Sequence, residues 1–346
     1  MYRLLAANPS IDAALPEMPS FATLALTTTP ALLTNFGGLG FPNSECGAGC
    51  EPPSTSVAAG PSNVVEVTNT VGRIFDKSGN VQSTFNLNTF FGVATDIFSS
   101  DPRVEYDTLA SRWYISFLIL DNTDITNSQN GFWYLAVSTS SDPTQMFNIY
   151  NFETIGDFPD QPPLGFNDDK IVTGGNSFSC DPDCADGAYE GNEYLVWNKS
   201  ELLAGDASID TDYNTPGPPG QDQSNLPIIP AKSRSSTSTL WMIDTCVLKT
   251  STCTNSVNIW SIVGTPGVTP VEALTAMATV NAITSPPVAP QLGTSKNKNP
   301  NPIDTGDGRL LDAVYRDGIL WASGNAACKP TGDTKARSCL QYYEVL

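Results

Sequence analysis

The sequence predicts an all-β fold, a five-bladed β-propeller built from four-stranded antiparallel blades. Two observations lead to this prediction. Units of about four short β-type runs begin near residues 52, 101, 160, 226 and 307. Several of these units open on a similar strand, turn and strand, with turn residues between the runs. An array of such units is expected to close into a ring, because a ring leaves few exposed sheet edges.

The second unit shows the pattern most clearly. Residues 101–107 follow an Asp-Pro start with an alternating run, and 111–117 form a β-branched and aromatic run after a short turn. Related strand, turn and strand patterns recur at 160–173 and 307–322. The recurrence predicts equivalent inner hairpins in three blades.

The fifth unit supplies only three runs before the chain ends at Leu346. A Thr- and Leu-rich run at 21–33 has no nearby partner, so we expect it to complete the fifth blade and close the ring. The expected organisation is therefore an N-terminal extension, 1–51, that carries the closing strand and a disulfide loop, followed by the propeller, 52–346.

The cysteines form four couples that are close in sequence. An even number of cysteines in adjacent couples, in a chain rich in Gly and Pro, predicts disulfides and an oxidising compartment. Half-sites for a metal ion are the alternative. Three couples fall between the second and third strands of their units. The couples are Cys46 with Cys50, Cys180 with Cys184, Cys246 with Cys253, and Cys328 with Cys339.

The composition excludes several classes of function. The chain has 36 acidic and 17 basic residues and a formal net charge of −19, so nucleic acid is not an expected partner. It has no histidine, which excludes Ser-His-Asp and Cys-His catalysis and imidazole ligands for zinc. No apolar run is long enough to span a bilayer.

The location that we expect is extracellular or at the cell surface. The first residues lack the apolar stretch of a signal peptide, so an exported protein would be present here in mature or trimmed form. Asn198, Lys199 and Ser200 form the sole N-glycosylation sequon.

Several segments together resemble a group of secreted bacterial and archaeal β-propeller proteins that are mostly uncharacterised. The resemblance implies this fold and export. A more distant likeness is to the five-bladed glycosidases, whose first catalytic aspartate often sits in an Asp-Pro that opens an inner strand, as Asp101 and Pro102 do here. A glutamate motif for the general acid is not recognisable. The segments are 53–69, 101–116, 135–144, 160–173 and 304–321.

Asp101, Asp160 and Asp307 stand at equivalent places in their units, so a ring would bring them towards one end of its axis. Two facing carboxylates could hydrolyse a glycosidic bond. Alternatively, the three aspartates cap strands and turns or bind an axial cation such as Ca²⁺.

Three arginines, Arg103, Arg112 and Arg309, are conspicuous in a chain with few cations. They could bind a ligand carboxylate, or pair with nearby aspartates. The tryptophans could stack against sugars, although their place in apolar runs favours packing between blades.

Two loops gather oxygen ligands that suit calcium. One contains Asp181, Asp183 and Asp186 with Glu190, and the other Asp121, Asp124 and Asn127. Solvated loops without a metal are the alternative.

These features predict a secreted or surface propeller that acts as a binding or structural module, with a possible axial calcium ion. The first alternative is a carbohydrate-active hydrolase that uses the aspartates. The second is a subunit of an extracellular assembly that associates through its N-terminal segment.

Overall fold

The computed structural model describes residues 2–4, 32–40, 53–121, 130–154, 157–179, 187–214, 227–245, 255–280, 283–293 and 301–346. Within these residues the chain consists mainly of β-strands, with two short helices, α1 (Leu87–Phe91) and α2 (Lys199–Ala204). The strands form four-stranded antiparallel sheets, so the predicted all-β class is confirmed.

The first two sheets are meanders, in which each strand pairs with the next along the chain. The first sheet contains β2 (Thr55–Ala59), β3 (Asn63–Thr68), β4 (Val71–Asp76) and β5 (Val81–Asn86). The second sheet contains β6 (Phe98–Asp107), β7 (Arg112–Asp121), β8 (Asn130–Ser138) and β9 (Phe147–Thr154).

The third and fourth sheets follow the same order, and the first strand of the third sheet is divided in two. The third sheet contains β10 (Asp157–Asp160) and β11 (Leu164–Phe166), which both pair with β12 (Lys170–Ser179), then β13 (Tyr189–Asn198) and β14 (Thr211–Asn214). The fourth sheet contains β15 (Ile229–Pro230), β17 (Leu240–Thr245), β18 (Ser256–Thr265) and β19 (Thr269–Thr279).

The fifth sheet contains β20 (Leu310–Arg316), β21 (Ile319–Cys328) and β22 (Arg337–Val345), and the short strand β1 (Tyr2–Leu4) pairs with β22 in parallel. The strand β16 (Lys232–Ser233) pairs in parallel with both β11 and β20. It therefore joins the third and fifth sheets into one hydrogen-bonded sheet. Of the predicted closing strand 21–33, residues 21–31 lie outside the described residues, and Leu32 and Leu33 belong to no strand.

The sheets pack against one another in chain order through clusters of buried apolar side chains. Val65 and Val104 belong to one cluster between the first and second sheets, and the cluster of Tyr114 and Phe166 lies between the second and third. Further clusters join the third sheet to the fourth and the fourth to the fifth. The expected packing of tryptophans between sheets is confirmed for those that are at most 2% exposed, Trp113, Trp133 and Trp197.

Gly165 on β11 of the third sheet lies against Pro230 on β15 of the fourth sheet. A Cβ atom at this position would be 2.6 Å from the carbonyl carbon of Pro230 and 2.7 Å from its oxygen. Because the obstacle is backbone, a larger residue must separate the two strands. We expect Gly165→Ala to lower the free energy of unfolding by about 1–3 kcal/mol, measured by urea denaturation. Gly40→Ala is the control, since its Cβ would meet nothing within 4 Å; equal losses in both variants would contradict the prediction.

One predicted disulfide lies within the described residues. Cys328 and Cys339 are bonded, with their Cα atoms 5.8 Å apart, and connect β21 to β22 near the end of their hairpin. This confirms the place expected for that couple, between the second and third strands of its unit. The other six cysteines lie outside the described residues.

The glycosylation sequon is built into the fold. Asn198 is 2% exposed and caps α2, where its Oδ1 accepts a hydrogen bond from the Ser200 amide at 3.1 Å. Its Nδ2 donates to the Pro266 carbonyl at 3.0 Å. The amide nitrogen that would carry a glycan is therefore buried and engaged. Neither α1 nor α2, the helices of the described part, is long and apolar enough to cross a membrane.

Candidate functional site

A cavity of about 320 Å³, here called the axial cavity, lies where the first strands of the sheets meet. Its wall receives residues from β2, β6, β11, β15, β16 and β20, so all the sheets contribute to it. The first strands therefore meet at one cavity, while closure into a ring of five blades stays a prediction. The lining side chains used below are Arg103, Glu105, Gln161, Lys232, Arg309 and Asp312.

An ion-pair network crosses the axial cavity. The Lys232 Nζ atom lies 2.8 Å from Glu105 Oε1 and 2.7 Å from Asp312 Oδ1. Glu105 Oε2 also accepts a hydrogen bond from Arg234 Nη2 at 2.8 Å. Burial acts to lower the pKa of Lys232, but the charges of Glu105 and Asp312 outweigh it and the pKa is raised. The lysine is therefore held in its charged form.

A larger cavity of about 670 Å³, here called the amide cavity, adjoins the axial cavity, and Gln161 lines both. Its polar lining consists of amides and hydroxyls with a single carboxylate. The ring of Phe98, which is 51% exposed, adds an apolar surface. The polar side chains include Ser54, Asn69, Asn86, Ser99, Asp101 and Gln161.

Three residues of the amide cavity have an unusual backbone conformation. Asn69, Asp101 and Gln161 have φ angles of 44°, 51° and 50°, in the left-handed region that non-glycine residues seldom adopt. Asp101 and Gln161 each precede a proline, which restricts their backbone further. Strained residues of this kind cluster at functional sites, so their location in one cavity marks it as a candidate.

The three predicted aspartates gather around Gln161. Asp101 lies in a bulge of β6, between Ser100 and Arg103, three residues after the start of the strand. Asp160 ends β10, and its pKa is raised by burial and by the negative charge of Asp101. The proximity expected from the repeats is thus found for this pair, while a catalytic role stays a prediction.

Asp307 is held by Arg309 just before β20. Arg309 donates from Nε to Asp307 Oδ1 at 2.9 Å and from Nη2 to Oδ2 at 2.8 Å. Burial would raise the pKa of Asp307, but these bonds bring it below its usual value. Arg309 also donates from Nη1 to Gln161 Oε1 at 3.0 Å, which ties this pair to the other aspartates.

The predicted calcium residues Asp181, Asp183 and Asp186 lie outside the described residues, as do Asp124 and Asn127. In the described part of the chain, no three acidic side chains are grouped so that they could hold a metal ion. Calcium binding stays a prediction. Glu190 is described, and burial together with the neighbouring carboxylate of Asp157 raises its pKa.

Sequence analysis did not find three groups of buried ionisable side chains: the Lys199–Asp107 pair, Glu193 and Asp244. Lys199 Nζ lies 2.6 Å from Asp107 Oδ2, with both side chains at most 2% exposed. Glu193, whose Oε2 accepts a hydrogen bond from Tyr213, has its pKa raised by burial to about 7. The third group is Asp244, described next.

Asp244 is fully buried in the fourth sheet. Its Oδ1 accepts a hydrogen bond from Asn258 Nδ2 at 2.9 Å, and its Oδ2 accepts one from Trp260 Nε1 at 2.7 Å. Burial raises the pKa of Asp244 to about 7, although the two bonds act against the rise. The sequence gives no signal that Asp244 is buried, because an aspartate in a strand is usually exposed and the two hydrogen-bond partners of Asp244 lie on the next strand.

No protein-family model matches this chain, and no curated protein matches it either. Among solved structures, it is similar to a neuraminidase-like protein of a flat-faced bat isolate, with 10% identity, a TM-score of 0.41, and coverage of 83% of this chain and 72% of that one. An arabinanase of Bacillus subtilis is 11% identical, with a TM-score of 0.35 and coverage of 84% of this chain and 93% of that one. A GH43 β-1,3-galactosidase is 10% identical, with a TM-score of 0.39 and coverage of 85% of this chain and 93% of that one. The distant likeness to glycosidases is confirmed; a likeness this remote supports no inference about activity or substrate.

Proposed function

We propose that this protein is an extracellular or cell-surface five-bladed β-propeller that binds a polyhydroxylated ligand, such as a glycan, in the amide cavity. The observation that carries the proposal is the meeting of three strained residues, Asn69, Asp101 and Gln161, in one cavity. Amides and hydroxyls can donate and accept hydrogen bonds with sugar hydroxyls, and the exposed ring of Phe98 offers a face for the apolar side of a sugar.

Two observations support the ring. The first strands of all the sheets line the axial cavity, which fits five blades around one centre. The N-terminal segment starts on the fifth sheet, at β1, and reaches the first sheet, where the Leu39 amide donates to Glu66 Oε2 at 2.7 Å. This course fits closure between the two ends of the chain. Self-association through the same segment stays a prediction, because residues 5–31 lie outside the described part.

The test of the proposal replaces Asp101 with asparagine. We expect wild-type protein to bind at least one oligosaccharide of a glycan panel, and Asp101→Asn to weaken binding about tenfold, because a hydrogen bond to a charged group contributes about 1.5–3 kcal/mol. Isothermal titration calorimetry would measure both.

The matched control is Asp142→Asn. Asp142 also precedes a proline, but it bonds Thr144 in a turn and lines neither cavity. Unchanged affinity in Asp101→Asn, or no binding by the wild type, would refute the proposal.

A second candidate function is hydrolysis of a glycosidic bond. It is favoured by the raised pKa of Asp160 beside Asp101, because glycosidases need one carboxyl group that retains its proton and one that is ionised. In this reading Asp160 is the acid and Asp101 the base. Release of reducing sugar from the bound glycan should then disappear in Asp160→Asn. Unaltered turnover in that variant would remove Asp160 from the mechanism.

A further inference from the structure

The axial cavity gathers three cationic side chains in an acidic protein. Its lining contains three cationic side chains, Arg103, Lys232 and Arg309, and two anionic ones, Glu105 and Asp312, and a third carboxylate, Asp307, pairs with Arg309 from beside the cavity. The whole chain carries a formal charge of −19. A cation without a carboxylate partner in such a cleft attracts ligands of the protein's own sign.

Two of the three cations are already neutralised. Lys232 is held by Glu105 and Asp312, and Arg309 is held by Asp307. Within the described residues, Arg103 forms no ion pair. Its guanidinium is therefore the cation of this lining that is free to bind an anionic ligand.

The surroundings strengthen such a contact. The rest of the cavity wall is largely apolar and includes Pro163, Leu164, Ile229 and Leu310. Charge pairs interact more strongly where water is excluded, and a guanidinium can bind a carboxylate or sulfate through two parallel hydrogen bonds.

The position of Arg103 connects it to the proposed ligand site. It follows Asp101 by two residues on β6, with Asp101 on the amide cavity and Arg103 on the axial cavity. Gln161 lines both cavities, so one ligand can reach from one into the other. We infer that the ligand is an acidic oligosaccharide, whose hydroxyls occupy the amide cavity and whose anionic group binds Arg103. This inference rests on the proposed function.

The test compares oligosaccharides that differ only in charge. The probes are an oligogalacturonide with its methyl ester, and a sulfated oligosaccharide with its desulfated form. We expect at least one acidic probe to bind the wild type tenfold or more tightly than its neutral partner, with an affinity that falls as salt is added. The two pairs distinguish a carboxylate from a sulfate.

Arg103→Met should abolish the preference for the acidic probe and leave the affinity for the neutral one unchanged. Arg103→Lys keeps the charge without the paired donors and should retain a reduced preference. Arg316→Met, at an exposed arginine beside Asp317, should behave as the wild type.

The outcomes separate the inference from the function on which it rests. A preference that persists in Arg103→Met, or equal binding of acidic and neutral probes by the wild type, would overturn the inference and leave glycan binding intact. Absence of binding by all four probes and by the wider glycan panel would overturn both.

Discussion

Replacing Lys199 with methionine is expected to lower the free energy of unfolding by about 3–5 kcal/mol. Lys199 Nζ lies 2.6 Å from Asp107 Oδ2, and both side chains are at most 2% exposed. Tyr114 Oη donates to the same carboxylate oxygen at 3.0 Å, and the Asn167 carbonyl accepts from Lys199. Removing the ammonium leaves a buried carboxylate with no cationic partner, whose Oδ2 keeps only the Tyr114 hydroxyl while its Oδ1 accepts from the Leu109 and Ala110 amides. Chemical denaturation at pH 7 would measure the loss.

The control for this prediction is Arg316→Met. Arg316 and Asp317 are 3.5 Å apart, and their side chains are 70% and 76% exposed, so the change should be less than about 1 kcal/mol. The double variant Lys199→Met with Asp107→Asn should recover part of the loss, because it removes the buried charge as well as its partner. A Lys199→Met protein as stable as the control would show that the pair is not buried in solution.

The second large effect is a loss of stability as pH rises towards 8. Burial raises the pKa of Asp244 from 3.8 to about 7. The folded state then holds the proton more tightly than the unfolded state. The protonated Asp244 therefore contributes fully to the free energy of unfolding below about pH 4, and this contribution disappears as pH passes 7. The titration of Asp244 alone should lower the free energy of unfolding by about 2–3 kcal/mol between pH 5 and pH 8. Glu193, with its pKa raised to about 7, adds a loss of the same sign.

Denaturation curves at pH 5, 6, 7 and 8 would measure how steeply the free energy of unfolding falls with pH. Asp244→Asn, which resembles the protonated acid in shape and charge, should make this fall less steep. The range stops at pH 5 because Asp307, whose pKa is lowered, destabilises the fold in stronger acid. A wild-type protein that gains stability from pH 5 to pH 8 would contradict the prediction.

Local patterns predicted the hairpins, because alternation and turn residues act over a few positions. The run at 101–117 became β6 and β7, and 319–322 became part of β21. The strand β16 could not be predicted in this way. It has two residues, too few for any period, and it exists because β11 and β20 provide partners on both sides.

The candidate site was predictable where it follows from the repeat. Equivalent places in neighbouring units brought Asp101 and Asp160 close enough for one to raise the pKa of the other. The network of Glu105 with Arg234 and Lys232 could not be predicted, because Glu105 and Arg234 are 129 positions apart and no repeat relates them. The strain at Gln161 was equally hidden, because the sequence alone favours an ordinary extended residue before proline.

The parallel pairing of β16 has a consequence for how a ligand enters. Hydrogen bonds join β11, β16 and β20, so the side of the axial cavity formed by Leu164, Lys232 and Leu310 is part of one continuous sheet. The opposite side, with Ser56 and Arg103, meets it through side chains. We therefore expect any widening of the axial cavity to come from that opposite side, where no paired strands hold the wall.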